Sequence, residues 1–107
     1  MEIALSQYAR IFDDSNIYWR SDQETNLMFI KCQEQYLNDL LVRKKVVFLN
    51  EVYEMLGFPR TIIGQIVGWY YNDKNPIGDN RIIIDMAVFE DHILLDFNVD
   101  GEVIQYL

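Results

Sequence analysis

This chain has little of what small proteins use as staples or as chemistry. One cysteine, Cys32, among 107 residues excludes a disulfide framework and a cysteine-rich metal site. One histidine, His92, leaves no second imidazole to share a metal or a proton. Five glycines and two prolines are too few for a fibrous or low-complexity chain. No segment approaches the roughly 18 consecutive apolar residues that span a bilayer. The opening MEIALSQYARIF lacks the basic stretch and long apolar run of an export signal, so a cytoplasmic protein without a membrane partner is expected. Basic residues are scarce too: nine against seventeen acids, for a net charge of −8.

The charge is uneven along the chain. Residues 1–45 hold seven acids and six bases, whereas residues 46–107 hold ten and three. Sequence-independent affinity for nucleic acid comes from Lys and Arg displacing counterions, so direct DNA binding is disfavoured. The same field attracts a basic protein surface and speeds encounter with it. Catalytic signatures are absent as well. Ser6, Ser15 and Ser21 stand outside any nucleophile elbow, and the glycines do not follow a strand at phosphate-loop spacing. No catalytic residue, cofactor or metal is assigned, and an enzyme is not expected. Cys32, in a helical stretch, reads as a small buried or half-buried hydrophobe, and His92 as a surface turn residue.

What the chain does have is a core: half its residues are apolar and 14% aromatic. That suits one α+β domain, residues 1–107, with an N-terminal arm (1–22), a helical part (23–58) and a β-meander (65–107). In the arm, Ile3, Leu5, Tyr8, Ile11 and Phe12 fit neither period for long, and read as a short helix or irregular segment before a loop whose aromatics pack down. Ser21 or Asp22 caps a long N-terminal helix over 23–43, on the spacing of Phe29, Ile30, Gln33, Tyr36, Leu37, Leu40 and Leu41. Arg43, Lys44 and Lys45 complement its C-terminal dipole. Asn50 reads as the cap of a helix over 51–56, stopped by Gly57. Residues 59–68 admit a third helix, giving a helix-turn-helix outline, or a turn and a strand over 65–71.

Beyond the loop NDKNPIGDN, strands over 82–89 and 93–98 alternate about Glu90 and Asp91, and Asp100-Gly101 turns into a last strand over 103–106. The expected architecture is the long helix and short helices packed on a three- to four-stranded antiparallel meander. A hairpin symmetric about Glu90-Asp91 sets Asp85 opposite Asp96, away from the Ile93, Leu95 and Phe97 stripe. Facing carboxylates need relief, for which Arg60, Arg81 or a partner's arginine are candidates. The expected partner-binding surface is therefore Asp79, Asp85, Glu90, Asp91, Asp96 and Asp100, with Trp69, Tyr70 and Tyr71 as aromatic anchors.

The motifs YLNDLL (36–41), VFLNEVYEMLGFPRT (47–61), GQIVGWYY (64–71), NPIGDN (75–80) and LLDFNVDG (94–101) occur in this order. The chain over residues 24–104 resembles a family of small uncharacterised proteins encoded by bacteriophages and integrative elements of Gram-positive bacteria. The resemblance implies a mobile-element origin and a bacterial cytosol, and it brings no catalytic residues. The short connection at residues 89–92 departs from the longer interval in that family. Three functions follow as expectations. The first is an interaction protein that occupies a host or phage protein with a basic surface, such as an anti-CRISPR-like inhibitor of host defence. The others are an assembly component of a phage particle and a helix-turn-helix regulator.

Overall fold

The computed structural model describes residues 5–107. Within them, α1 (Gln23–Lys44) and α2 (Leu49–Leu56) combine with β1 (Arg10–Asp13), β2 (Val46–Phe48), β3 (Val67–Tyr70), β4 (Ile84–Val88), β5 (His92–Phe97) and β6 (Gly101–Glu102). The strands form two three-stranded antiparallel sheets, ordered β1-β5-β4 and β2-β3-β6, so the class is α+β. Phe12, Ile30, Leu37, Tyr53, Trp69 and Phe97 belong to one buried cluster to which both helices and both sheets contribute.

Asp22 caps α1 by accepting from the Glu24 N–H and the Thr25 hydroxyl, at 3.3 and 2.8 Å. At the other end Lys45 turns left-handed (φ 72°), and its N–H reaches the Leu41 carbonyl at 2.7 Å. The helix lies along the outer edge of β4. Asn38 pairs with the N–H and carbonyl of Ile82 (2.7 and 2.9 Å), Glu34 accepts the Ile84 N–H (2.7 Å), and Gln23 donates to the Phe89 carbonyl (2.6 Å). A strand edge that would otherwise recruit other chains is thereby covered by helix side chains.

The Asn38 pairing belongs to a recurring device. Asn26 grips the N–H and carbonyl of Arg20, Asn50 those of Thr61, and Asn80 those of Asn72, all between 2.7 and 3.0 Å. A carboxamide matches a peptide unit donor for acceptor, so each asparagine satisfies a loop backbone that has no strand beside it. This is why Asn26 and Asn50 are buried.

Several expectations are corrected. The long helix is not the N-terminal element, because β1 precedes it. Phe12 is drawn inward by the Trp19, Phe29 and Phe58 rings at 5.5–6.3 Å, leaving Ile11 outward, and four residues are too few to display a period. Trp19 packs down as expected, whereas Tyr18 touches the Phe29 ring but stays 39% exposed, Ile17 is exposed, and Ile3 lies outside the described residues. Asn50 is not a cap. The second helix begins at Leu49, and Glu51 accepts the Phe48 N–H at 2.8 Å. Of the two readings of residues 59–68, the turn and strand is the one that forms, as a 3-10 turn over 63–65 leading into β3, and the helix-turn-helix alternative is not formed. Cys32 is exposed rather than packed.

The C-terminal half is not one meander. The β4–β5 hairpin joins β1, while β6 crosses to β3, with the Asp100 N–H on the Gly68 carbonyl (2.9 Å) and the Val103 N–H on the Ile66 carbonyl (3.0 Å). Residues 104–106 form a 3-10 turn instead of a strand. Glycine at position 68 permits this sheet, since a Cβ there would collide with the Val47 carbonyl of the neighbouring strand.

Candidate functional site

The sheet β1-β5-β4 buries one face and leaves the other open. Phe12, Ile84, Ile93, Leu95 and Phe97 point into the core. The alternate residues line up in rows across the strands: Ile11, Leu94 and Ala87 form an apolar row, with Asp96 and Asp85 on one side and Asp13 and His92 on the other. Ile11 is 55% exposed, and Leu5 and Phe89 extend the apolar surface. No Lys or Arg belongs to these rows. Two depressions meet at Ile11. One is lined by Leu5, Ala9, Leu94 and Arg10 and is apolar apart from that guanidinium; the other is lined by Asp13, Asp14, Glu90, Asp91, His92 and Trp19.

The Asp85–Asp96 pairing forms in the expected register. Neither arginine relieves it: Arg60 bonds Glu54 at 2.6 Å, and the relief comes from Ser6, whose N–H reaches Asp96 Oδ2 at 2.8 Å and whose hydroxyl reaches Oδ1 at 2.5 Å. Burial works to raise the Asp96 carboxyl, but the Ser6 donors and the Phe97 N–H outweigh it and hold the group below its ordinary value. Asp96 is thus already engaged, and Asp85 is the exposed charge of the pair. The Ser15 hydroxyl and N–H hold Asp13 low, and the His92 ring, 2.7 Å away, does the same for Asp91. Asp14 and Glu90 make no ion pair among the described residues.

The other expected anchors are not gathered here. Trp69 is fully buried, and its Nε1 donates to Asn98 Oδ1 at 2.9 Å. Tyr70 stacks on Tyr106 with centroids 3.9 Å apart, and Tyr71 lies under the Lys45 ammonium at 4.7 Å. Asp100 accepts the Tyr70 N–H at 3.0 Å; burial pushes its carboxyl up, and neighbouring Asp79 adds to that while the N–H opposes it. Asp79 and Asp100 therefore serve the loop at residues 72–80, where Asn98 also holds Asp79. His92 begins β5 and stacks on Phe89 at 4.6 Å, so it is not a loose turn residue. Ser6, Ile11, Asp13 and Leu94 escape sequence reasoning. The signal for Leu94 is its alternation with Ile93 and Leu95, but β1 is too short to show its own.

A separate depression, between α1 and α2, is lined by Tyr18, Phe29, Tyr36, Leu40 and Met55. Its acidic lips are already satisfied, Glu51 by Lys44 (2.7 Å) and Glu54 by Arg60 (2.6 Å). Among the described residues no group of three or more His, Cys, Asp or Glu is placed to hold a metal, and no helix is long and apolar enough to cross a membrane.

The chain belongs to a family of unknown function, DUF6353, whose model matches residues 2–107. Neither the curated proteins nor the solved structures contain a match.

Proposed function

We propose that this protein acts by binding another protein, without catalysis, through the open face of the β1-β5-β4 sheet. The observation that carries the reading is the apolar row Ile11, Leu94 and Ala87 between flanking carboxylates, in rows that contain no lysine or arginine. An apolar centre with a charged rim is the anatomy of a protein interface, and the sign of the rim selects a basic partner. In this reading the protein comes from a bacteriophage or integrative element and occupies a host or phage protein in the bacterial cytoplasm. A nucleic-acid-binding protein of host defence has the required surface, because the groove that holds phosphates is basic.

The experiment is affinity capture from host cells by the tagged wild-type protein and by Leu94→Lys, with mass spectrometry of what is retained. The variant is expected to lose the partner while its melting temperature stays unchanged, whereas Tyr36→Ala, in the depression between the helices, keeps it. Equal recovery with Leu94→Lys overturns the site. Random duplex DNA is expected to give no mobility shift at physiological salt.

A further inference from the structure

We infer that the outer edge of β1 receives an extended segment of the partner as a fourth strand, and that this segment carries a branched apolar residue beside Ile11 and a lysine or arginine two residues away, over Asp13 and Asp14. The inference rests on the binding reading above and adds how the partner is held and what its segment contains.

The hydrogen-bond alternation shows which groups are available. Ile82 and Ile84 send their N–H groups to α1, whereas Ile83 and Asn98 bond each other's side of the hairpin, as do Phe89 and His92. The even-numbered residues of β5 therefore bond β4, and the odd-numbered ones bond β1. With Arg10 opposite Leu95 and Phe12 opposite Ile93, those two residues of β1 face β5. Ile11 and Asp13 then direct their N–H groups out of the sheet, as Ile11 does its carbonyl. The Asp13 carbonyl already accepts the Asn16 N–H (2.9 Å) and the Ala9 carbonyl accepts Arg10 Nη1 (2.8 Å), so the open edge centres on Ile11. The two edges are treated differently: α1 covers β4 through Asn38, Glu34 and Gln23, and no helix side chain does the same for β1 among the described residues. Uncovered edges are where strand addition occurs.

The surroundings of Ile11 specify the side chains. On the outer face, an added residue beside Ile11 drops toward the depression of Leu5 and Leu94, whose one charged lining residue, Arg10, disfavours a cation at that position and leaves an apolar one. The strand period of two places the next outward residue over the depression that holds Asp13, Asp14, Glu90 and Asp91. A cation there meets Asp14 and Glu90, which have no internal ion partner among the described residues. The same carboxylates argue against a second copy as occupant, since each chain carries a net charge of −8.

Fluorescence anisotropy with a labelled, end-capped peptide alternating threonine with valine and lysine tests this directly. Binding to the full chain is expected, with affinity falling by about tenfold or more for an alternately N-methylated peptide and for one with glutamate in place of lysine. Ile11→Pro, which removes an outward N–H and spares the bonds to β5, is expected to abolish binding. Should that variant unfold by circular dichroism, Asp14→Lys with Glu90→Lys is expected to weaken the lysine peptide and favour the glutamate peptide. Equal affinity for all three peptides, absence of binding, or a chain dimer that the peptide does not compete with overturns the inference. If the peptide fails while Leu94→Lys still loses the captured partner, the edge is wrong and the face stands. If Leu94→Lys keeps the partner, the face reading fails and the peptide result still judges the edge.

Discussion

The sheets β2-β3-β6 and β1-β5-β4 each have three antiparallel strands, yet they leave different amounts of themselves to solvent. In the first, the aromatic run is consumed internally: Trp69 is buried with its Nε1 bonded to Asn98, Tyr70 stacks on Tyr106, and Tyr71 lies under Lys45. In the second, only one face packs, and the other presents Ile11 and Leu94 beside carboxylates. Dense aromatics mark the joint of the fold, and the modest aliphatic row marks its exposed side. An aromatic side chain buries more area than any aliphatic one, so a small core takes it first.

The sharpest way to break this contrast is to cut both sheets equally. Trp69→Ala is expected to lose about 3–5 kcal/mol of stability, because it opens a large cavity in the cluster. Leu94→Ala, on the open face, is expected to cost under about 1 kcal/mol. Urea unfolding measures both, and comparable losses would mean that the outer face is as covered as the inner one. Next in size is the residue that joins the two sheets. Asn98 Oδ1 accepts from Trp69 Nε1 and from the Ile83 N–H (2.7 Å), while its Nδ2 reaches Asp79 Oδ2 and the Arg81 carbonyl. Asn98→Ala is expected to cost about 2–3 kcal/mol, since it strands two donors of limited water access. Faster hydrogen exchange at the Ile83 amide would accompany it, and unchanged exchange would mean that the sheets are held together elsewhere.

How far these features were legible in the sequence follows from the range of the interactions. The 23–44 helix, the hairpin about Glu90 and Asp91, and the Asp85–Asp96 register rest on local periodicity and turn chemistry, and these were readable. Sheet membership rests on long-range pairing. β1 has four residues and β6 two, so neither displays a period, and the chain after Phe97 crosses to β3 by bonds that no local pattern announces. The asparagines were hidden for a related reason: Asn50 looks like a cap, and only the fold brings Thr61 to it. On the site, local pattern picks out the acids but places them on one surface, whereas the fold sends Asp79 and Asp100 to a loop and ties Asp96 to Ser6.

That tie gives the open sheet a pH-dependent element. Because the Asp96 carboxyl is held below its ordinary value, its contribution is present above the unfolded aspartate pKa and is lost as pH falls through the lower folded value. Ser6→Ala is expected to cost about 1 kcal/mol near neutral pH, a charge-assisted bond discounted for partial exposure. The difference between variant and wild type should shrink as pH falls below the ordinary value of 3.8. Melting temperatures of the two proteins across that range measure it, and a constant difference would show that Ser6 acts without reference to the Asp96 charge.

The smallest change in stability is expected at Asp85, and it is the most informative about function. Asp85 is exposed, makes no ion pair among the described residues, and faces a second carboxylate across the strand pair. Asp85→Asn removes a cross-strand repulsion, so stability should stay within about 0.5 kcal/mol of wild type or rise slightly. Replacing Asp96 as well confounds the test, because asparagine there gives up the charge-assisted bonds from Ser6. With Asp85 changed alone, binding of the captured partner should weaken by about 1 kcal/mol at low salt, and by less as salt screens the contact. Calorimetric titration at two ionic strengths decides it. A loss of affinity that does not diminish with added salt would place the contribution of this residue in packing, and an unchanged affinity would leave the apolar row of Ile11 and Leu94 as the whole of the interface on that side.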